Sequence, residues 1–460
     1  MSFTYSRDPA TDRSLRHSVR DGVAYSVMAG GAETYLSAFA LFLRASTAQI
    51  ALVVTVPPLA GAFFQFLAAW LGHITGRRKP VILVGAMLQM LVWLPLLLLP
   101  VLFPQYAVAL LIVCLVIYYA GSNLAAPLWA SLMGDLVPER KRGRFFGRRT
   151  RLATITSFIS LAVAGAILYG FDRFGHTWLG FAVVFGAAAL ARLVSVYHLL
   201  CMHEPQRQGS VLPGFQVSRQ WLHSLRHSHA LRFSLYLVCM QAAVGVSAPF
   251  FAVYMLRDLQ FNYIQFMVNT GTAVLMQFLM LNTWGRISDV FGNRLILVTT
   301  GSMIPFLPLL WLVSGNFWYL IGVQVISGFA WAGFSLSAGN FLYDLIPGAR
   351  RATAMAFHNV FVAIGVFLGG MLGAVLSRVA PVEWDVAGRV FTLPSVLLLV
   401  FAVSASLRIL VALLFLPRLR EVRQVRRTMT ARQLVFRVTR FNAFSGLLYD
   451  VVTKFRRDRE

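Results

Sequence analysis

Acidic side chains are scarce: 17 Asp and Glu stand among 460 residues, and charged residues of both signs make up only 13% of the chain. With 58% hydrophobic residues and a mean hydropathy of +0.69, the chain has too little polar surface to dissolve as a globule in water. That excludes a soluble enzyme or binding domain and makes lipid the solvent. Cysteine is equally sparse. Cys114, Cys201 and Cys239 fall in or at the end of apolar runs, at separations that suit neither a disulfide framework nor a zinc site. No GxxxxGK[ST] loop is present, which removes ATP hydrolysis within the chain, and no nucleophile–base set or metal-ligand spacing points to catalysis. No cofactor is expected.

What the chain has in abundance is long apolar runs. Measured against the ~20 residues needed to cross the hydrocarbon layer, twelve are found: 19–43, 46–72, 80–102, 105–134, 149–170, 177–201, 232–256, 261–285, 294–314, 317–346, 352–377 and 392–416. Only helices satisfy the backbone in single lipid-facing segments of this length. The expected fold is therefore all-α and integral to the membrane. Its organisation reads as a cytoplasmic N-terminal segment (1–18), an N-terminal six-helix bundle (19–201), a central loop (202–231), a C-terminal six-helix bundle (232–416) and a basic amphipathic tail (417–460). The first apolar run is too long for a signal-peptide core and is expected to act as an uncleaved anchor.

Most of the 41 Lys and Arg fall between alternate runs; Arg44, Arg173, Arg257, Arg378 and Arg389 are the exceptions among the loops, and Arg192 and Arg408 lie within runs. This asymmetry predicts that both termini lie in the cytoplasm, on the inner side of the cytoplasmic membrane. The formal charge of +24 is then a topology signal and an attraction to anionic lipid at the tail, not a nucleic-acid footprint. In the central loop, His223 and His227 could share a helical face, but they lack acidic or Cys companions and are not assigned to a metal.

Two repeated motifs argue for internal duplication. Gly285-Arg-Ile-Ser-Asp289-Val-Phe-Gly292-Asn-Arg294 has a degraded counterpart at Gly72-His-Ile-Thr-Gly76-Arg-Arg-Lys79, in which the acidic position is missing. Asp135-Leu-Val-Pro138 followed by Arg142 recurs as Asp344-Leu-Ile-Pro347 followed by Arg351. Duplicated halves in an apolar chain point to a transporter.

Gly285, Asp289, Gly292 and Arg294 match the GxxxDxxGxR signature of the major facilitator superfamily, and on these residues and the twelve runs the chain resembles a member of it. The resemblance implies two pseudo-symmetric six-helix bundles, a cavity between them lined by spans one, four, seven and ten, and rocking between two open states. It also implies that Gly285, Asp289, Gly292 and Arg294, with Asp135, Arg142, Asp344 and Arg351, latch one conformation. Span five lacks the Gly-Pro pair found there in many drug–proton antiporters of the superfamily.

Glu33 is the one acid near the middle of a run, where a carboxylate costs at least ~2.5 kcal/mol unless it faces protein or a wet cavity. Gly22, Ser26, Gly30, Glu33 and Ser37 recur at steps of three or four and share a face. Burial penalises the charged form of such a group, which suits a side chain that takes a proton on one side and releases it on the other. Further cavity candidates are Ser26, Ser37, Tyr119, Asn123, Gln241, Gln265, Asn269, Trp331, Ser335, His358 and Asn359. The expectation is a monomeric secondary active transporter of a small organic solute coupled to H+ or Na+. The alternatives are a passive facilitator, a lipid- or lysolipid-handling protein, and a non-transporting membrane sensor.

Overall fold

A computed structural model of the protein describes residues 8–138, 141–205, 229–346, 351–380, 383–386, 389–419 and 421. His223, His227 and the amphipathic tail face lie outside the described residues. Among the described residues, eleven helices are long and apolar enough to cross a membrane. In the N-terminal half these are span two (Thr47–Thr75), three (Lys79–Leu102), four (Ala107–Leu136), five (Arg142–Arg173) and six (Thr177–Leu200). The C-terminal half supplies seven (His229–Asp258), eight (Tyr263–Phe291), nine (Asn293–Val313), ten (Phe317–Leu345), eleven (helical over Arg351–Val379) and twelve (Val396–Arg418).

Span one completes the twelve and is broken. Its first helix, Pro9–Gly31, ends at a 3-10 turn over Glu33–Tyr35, and a second helix, Leu36–Phe42, carries the chain across. The helix starts at Pro9, ahead of the apolar run at residue 19, because the Asp8 carboxylate accepts from the Ala10 and Thr11 amides and Pro9 is preset for a first turn. Span seven is broken in the same region, with helices His229–Ser247 and Phe250–Val253 and a wide turn over Tyr254–Asp258. The chain is not purely helical. Glu383–Val386 pairs antiparallel with Arg389–Thr392 between spans eleven and twelve.

The halves pack alike. Span one lies against five and six, two and three against four; in the second half seven lies against eleven and twelve, eight and nine against ten. The crossings of one with five and of seven with eleven are so close that a Cβ on Gly30 would sit 2.1 Å from the Ser157 carbonyl oxygen, and one on Gly369 2.0 Å from that of Ala242.

Between halves, span two meets eleven and span five meets eight. The large apolar core shared by the halves lies at one end: it joins Phe39, Trp93 and Phe185 to Phe250, Trp311 and Phe401 at the end remote from the termini. At the basic end, around Leu15 and Phe145 in one half and Phe233 and Phe341 in the other, the cores are separate. The seam of five and eight shows the same asymmetry. Leu161, Ala164 and Leu168 are buried, whereas no residue from Phe146 to Ser160 is, nor any from Thr272 to Leu279. The two halves are thus joined by a common core at the end remote from the termini, and the seam of spans five and eight is parted at the basic end.

Candidate functional site

The break in span one sets Glu33 beside span four. A continuous helix would commit that backbone to a uniform rod; the Gly30-Gly31 pair and the 3-10 turn displace the carboxyl toward span four. Glu33 is largely buried, and its carboxyl interacts with the hydroxyls of Tyr118 and Tyr119. Tyr118 is fully enclosed, with its hydroxyl 4.0 Å from the Met28 sulfur. Below Tyr119, the Asn123 amide donates to the Tyr119 carbonyl (2.9 Å) and accepts from Gln65 Nε2 (2.7 Å). Asn359 of span eleven donates to Gln65 Oε1 (3.2 Å), so this amide chain crosses between the halves, beside Phe66 and Phe357 with ring centroids 5.6 Å apart. Glu33, Tyr119, Asn123 and Asn359 therefore converge.

Toward the basic end a further polar cluster forms around Arg192, the cation within a span, and draws in groups with no sequence signal of their own. Arg192 of span six donates from Nη2 to Gln89 Oε1 and from Nη1 to Ser195 Oγ, both at 2.6 Å. Ser195 Oγ donates to Asp21 Oδ1 (2.7 Å), and Asp21 Oδ2 receives Arg149 Nη2 at 3.3 Å. Arg149 also donates to the Ser18 carbonyl (3.1 Å) and covers the Trp129 ring at 4.3 Å. The apolar run begins at residue 19, which puts Asp21 at its edge; in the fold Asp21 is buried, at 4% exposure, well inside the first helix. The signal that could have found it is Arg192, since a cation inside a span requires an anion or dipole nearby. The pseudo-equivalent Arg408 of span twelve is as deeply buried. It donates to Ser247 Oγ (2.7 Å), at the end of the first helix of span seven, where the helix dipole is negative.

Other candidates are placed elsewhere. Ser26 is buried and donates to the Gly22 carbonyl (2.7 Å) of its own helix; Ser37 and Gln241 are half-buried. Gln265 forms a capping box with Asn262 at the start of span eight, near the closed end, while Asn269 is fully buried and accepts from Gln324 (2.8 Å). Trp331 packs edge-on to Phe334, and Ser335 is exposed and donates to the Trp331 carbonyl (2.7 Å). His358 Nδ1 lies 2.8 Å from Ser234 Oγ.

At the basic end, Arg78 pairs with Asp135 (2.6 Å) and Glu204 (3.5 Å), and Glu204 accepts from the Arg78 (2.7 Å) and Lys79 (3.3 Å) amides at the start of span three. Glu421 repeats this at span nine, accepting from the Arg294 amide (2.8 Å), and Arg294 Nε donates to the Leu419 carbonyl (2.6 Å). Asp344 accepts from Asn293 (3.4 Å), Arg142 donates to the Gly134 carbonyl (2.8 Å), and Asp289 is exposed. Gly292 caps span eight at φ +84°, a conformation that favours glycine, and Gly285 is half-buried. Arg351 opens span eleven, and its side chain lies outside the described residues.

The model of the Major Facilitator Superfamily matches residues 22–252 and, separately, 233–453, one match for each half and together nearly the whole chain. The chain belongs to this superfamily. The fold agrees with solved structures of its transporters: a nucleoside transporter, NupG, superposes with a TM-score of 0.68 over 89% of this chain and 100% of its own, at 14% identity. A D-xylose–proton symporter does so at 0.64, over 91% and 99%, also at 14% identity. Curated relatives match shorter stretches. A vacuolar membrane amino acid uptake transporter of Schizosaccharomyces pombe is 28% identical over 90 residues, 20% of this chain and 16% of its own length. A polyol transporter of Arabidopsis thaliana is 26% identical over 148 residues, 32% of this chain and 27% of its own. The aligned region thus spans about a quarter or less of each of these curated relatives. The superfamily member described here is a multi-pass membrane protein.

Proposed function

We propose that this transporter is a secondary active carrier of a small polar organic solute across the cytoplasmic membrane, coupled to protons through Glu33. The observation that carries the reading is the position of that carboxyl. It stands in a helix break, largely buried beside Tyr118 and Tyr119, and Tyr119 heads an amide chain shared by both halves. An intramembrane carboxyl linked in this way to a contact between the two halves is suited to taking up a proton in one state and releasing it in the other. With the basic end in the cytoplasm by charge asymmetry, the described conformation is inward-open. The surrounding hydroxyls and amides suit a neutral polyhydroxy or zwitterionic solute.

The test is uptake by proteoliposomes loaded with a pH-sensitive dye, challenged with amino acids, polyols, pentoses and nucleosides, using wild type and Glu33→Gln. The wild type is expected to acidify the lumen with one of these solutes. The variant is expected to lose accumulation and proton movement while retaining solute exchange at equal concentrations. Equal proton movement in both proteins would overturn the assignment, and uptake without proton movement in the wild type would make the protein a passive facilitator.

A further inference from the structure

The carrier reading makes no use of a histidine pair at the basic end. His17 of span one and His198 of span six bring their Nδ1 atoms to 3.0 Å, with ring centroids 5.2 Å apart. At that distance the two nitrogens share one hydrogen: one imidazole donates from Nδ1 and the other, in its Nε2–H tautomer, accepts. The pair stands where the N-terminal half hands the chain to the central loop. Leu15 is fully buried in one core with Val196, Leu199 and Met202, and Ser14 Oγ accepts from the His203 amide (2.8 Å). Lys79 Nζ donates to the carbonyls of Leu200 (2.7 Å) and Met202 (2.8 Å), and Glu204 caps span three. The exit of span six is therefore held on one side by the start of span three and on the other by the first turns of span one.

We propose that the His17–His198 contact is an acid-labile clasp on this exit, which opens when both imidazoles are protonated and loosens residues 198–204 from the first turns of span one. A first proton can be taken at an outer Nε2, leaving the Nδ1–H···Nδ1 bond in place. The second puts a hydrogen on each facing nitrogen and two like charges 3.0 Å apart, so the rings must separate. The charged groups around the pair are Arg13, Arg20 and Asp21 of span one. Asp21 is in turn shared by Arg149 of span five and, through Ser195, by Arg192 of span six, and the Tyr197 ring lies 5.4 Å from that of His198. His17 lies ahead of the apolar run, and burial, His198 and the Arg20 and Arg13 charges hold it below the ordinary histidine range. The contact is thus complete above about pH 6.5 and is lost as pH falls through the lowered value. The clasp does not depend on the role given to Glu33.

The experiment is nitrogen-15 NMR of the histidine-labelled full chain in lipid nanodiscs, stepped from about pH 8 to about pH 4.5. It is paired with hydrogen exchange of segments 9–18 and 198–204, corrected for intrinsic rate. In the wild type one Nδ1 of the pair is expected to be protonated and the other bare at the alkaline end, and both signals should change together with a midpoint below about 6.5. Exchange in the two segments should rise about tenfold between about pH 7 and about pH 5. His17→Gln should abolish that rise, because an amide can meet His198 in either protonation state, and should leave His198 titrating in a single step. Two imidazoles that titrate independently near 6.5 overturn the inference, as does an exchange response that survives in His17→Gln. Should His17→Gln fail to fold, His198→Gln supplies the same comparison, and independent titration of the wild-type pair remains the refuting result.

Discussion

Gly165 of span five touches the moving seam, and a Cβ there would lie 2.7 Å from Met267 Cβ of span eight and 2.5 Å from the Tyr35 hydroxyl. Both contacts fall well inside van der Waals distance, and both belong to the end at which the halves are joined. The Tyr35 contact lies within the N-terminal half and is common to both states, whereas the Met267 contact crosses the seam; the strain that Gly165→Leu adds against Met267 therefore weighs on the described conformation, because in the opposite state spans five and eight part at this level. Overpacking of this kind costs about 1–3 kcal/mol. At ~0.59 kcal/mol for RT, that shifts the ratio of the two conformations by roughly 5- to 150-fold toward the state open at the remote end. Pulsed electron-spin distances between labels at Phe174 and Trp318, both exposed near the closed end, should lengthen; those between Thr75 and Asn282 at the basic end should shorten. Gly186→Ala, where nothing lies within 4 Å of a new Cβ, serves as the unaffected control. A folded Gly165→Leu protein with wild-type distances at both ends would refute the assignment of this seam as the closed gate.

Three further outcomes are expected. Gly30→Ala should lower the free energy of unfolding by about 2 kcal/mol or more in chemical denaturation, since the opposing atom is the Ser157 backbone oxygen and spans one and five must separate. Arg78→Gln should lower the apparent melting temperature, with a loss of about 1–3 kcal/mol: the Arg78 side chain is 4% exposed between Asp135 and Glu204, but the 38% exposure of Asp135 screens part of the interaction. The Thr11 hydroxyl and amide hold the Asp8 carboxyl below its ordinary range, so this N-cap is intact above about pH 4 and weakens as pH falls through the lowered value. Amide exchange at Thr11, corrected for intrinsic rate, should accordingly rise between about pH 6 and about pH 3, and Asp8→Ala should abolish that dependence.

The twelve runs, the duplication and the superfamily could be read from residues because lipid imposes its demands locally: about twenty apolar residues, a helix, a charged turn. Glu33 stood out for the same reason. Asp21 and Arg149 did not, since their burial comes from the packing of spans one, five and six, and nothing near them in sequence distinguishes them from residues at a membrane surface. Gln265 shows the converse, a polar residue whose spacing places it on a stripe with Asn269 while its side chain is occupied in closing the first turn of span eight. Glu204 and Glu421 escaped notice because a carboxylate that caps a helix from another segment leaves no spacing rule. The broken middle of span seven, ahead of Pro249, was foreshadowed only by that proline.

The single core that joins the halves at the closed end also bears on how the transporter responds to heat. Phe39, Trp93, Phe185, Phe250, Trp311 and Phe401 belong to one continuous apolar mass, and changing state must divide it and wet part of its surface. Wetting apolar surface raises heat capacity. The step that opens this end should thus carry a positive activation heat capacity, giving a curved plot of the logarithm of turnover against reciprocal temperature. The reverse step, which rebuilds the core, should curve in the opposite sense.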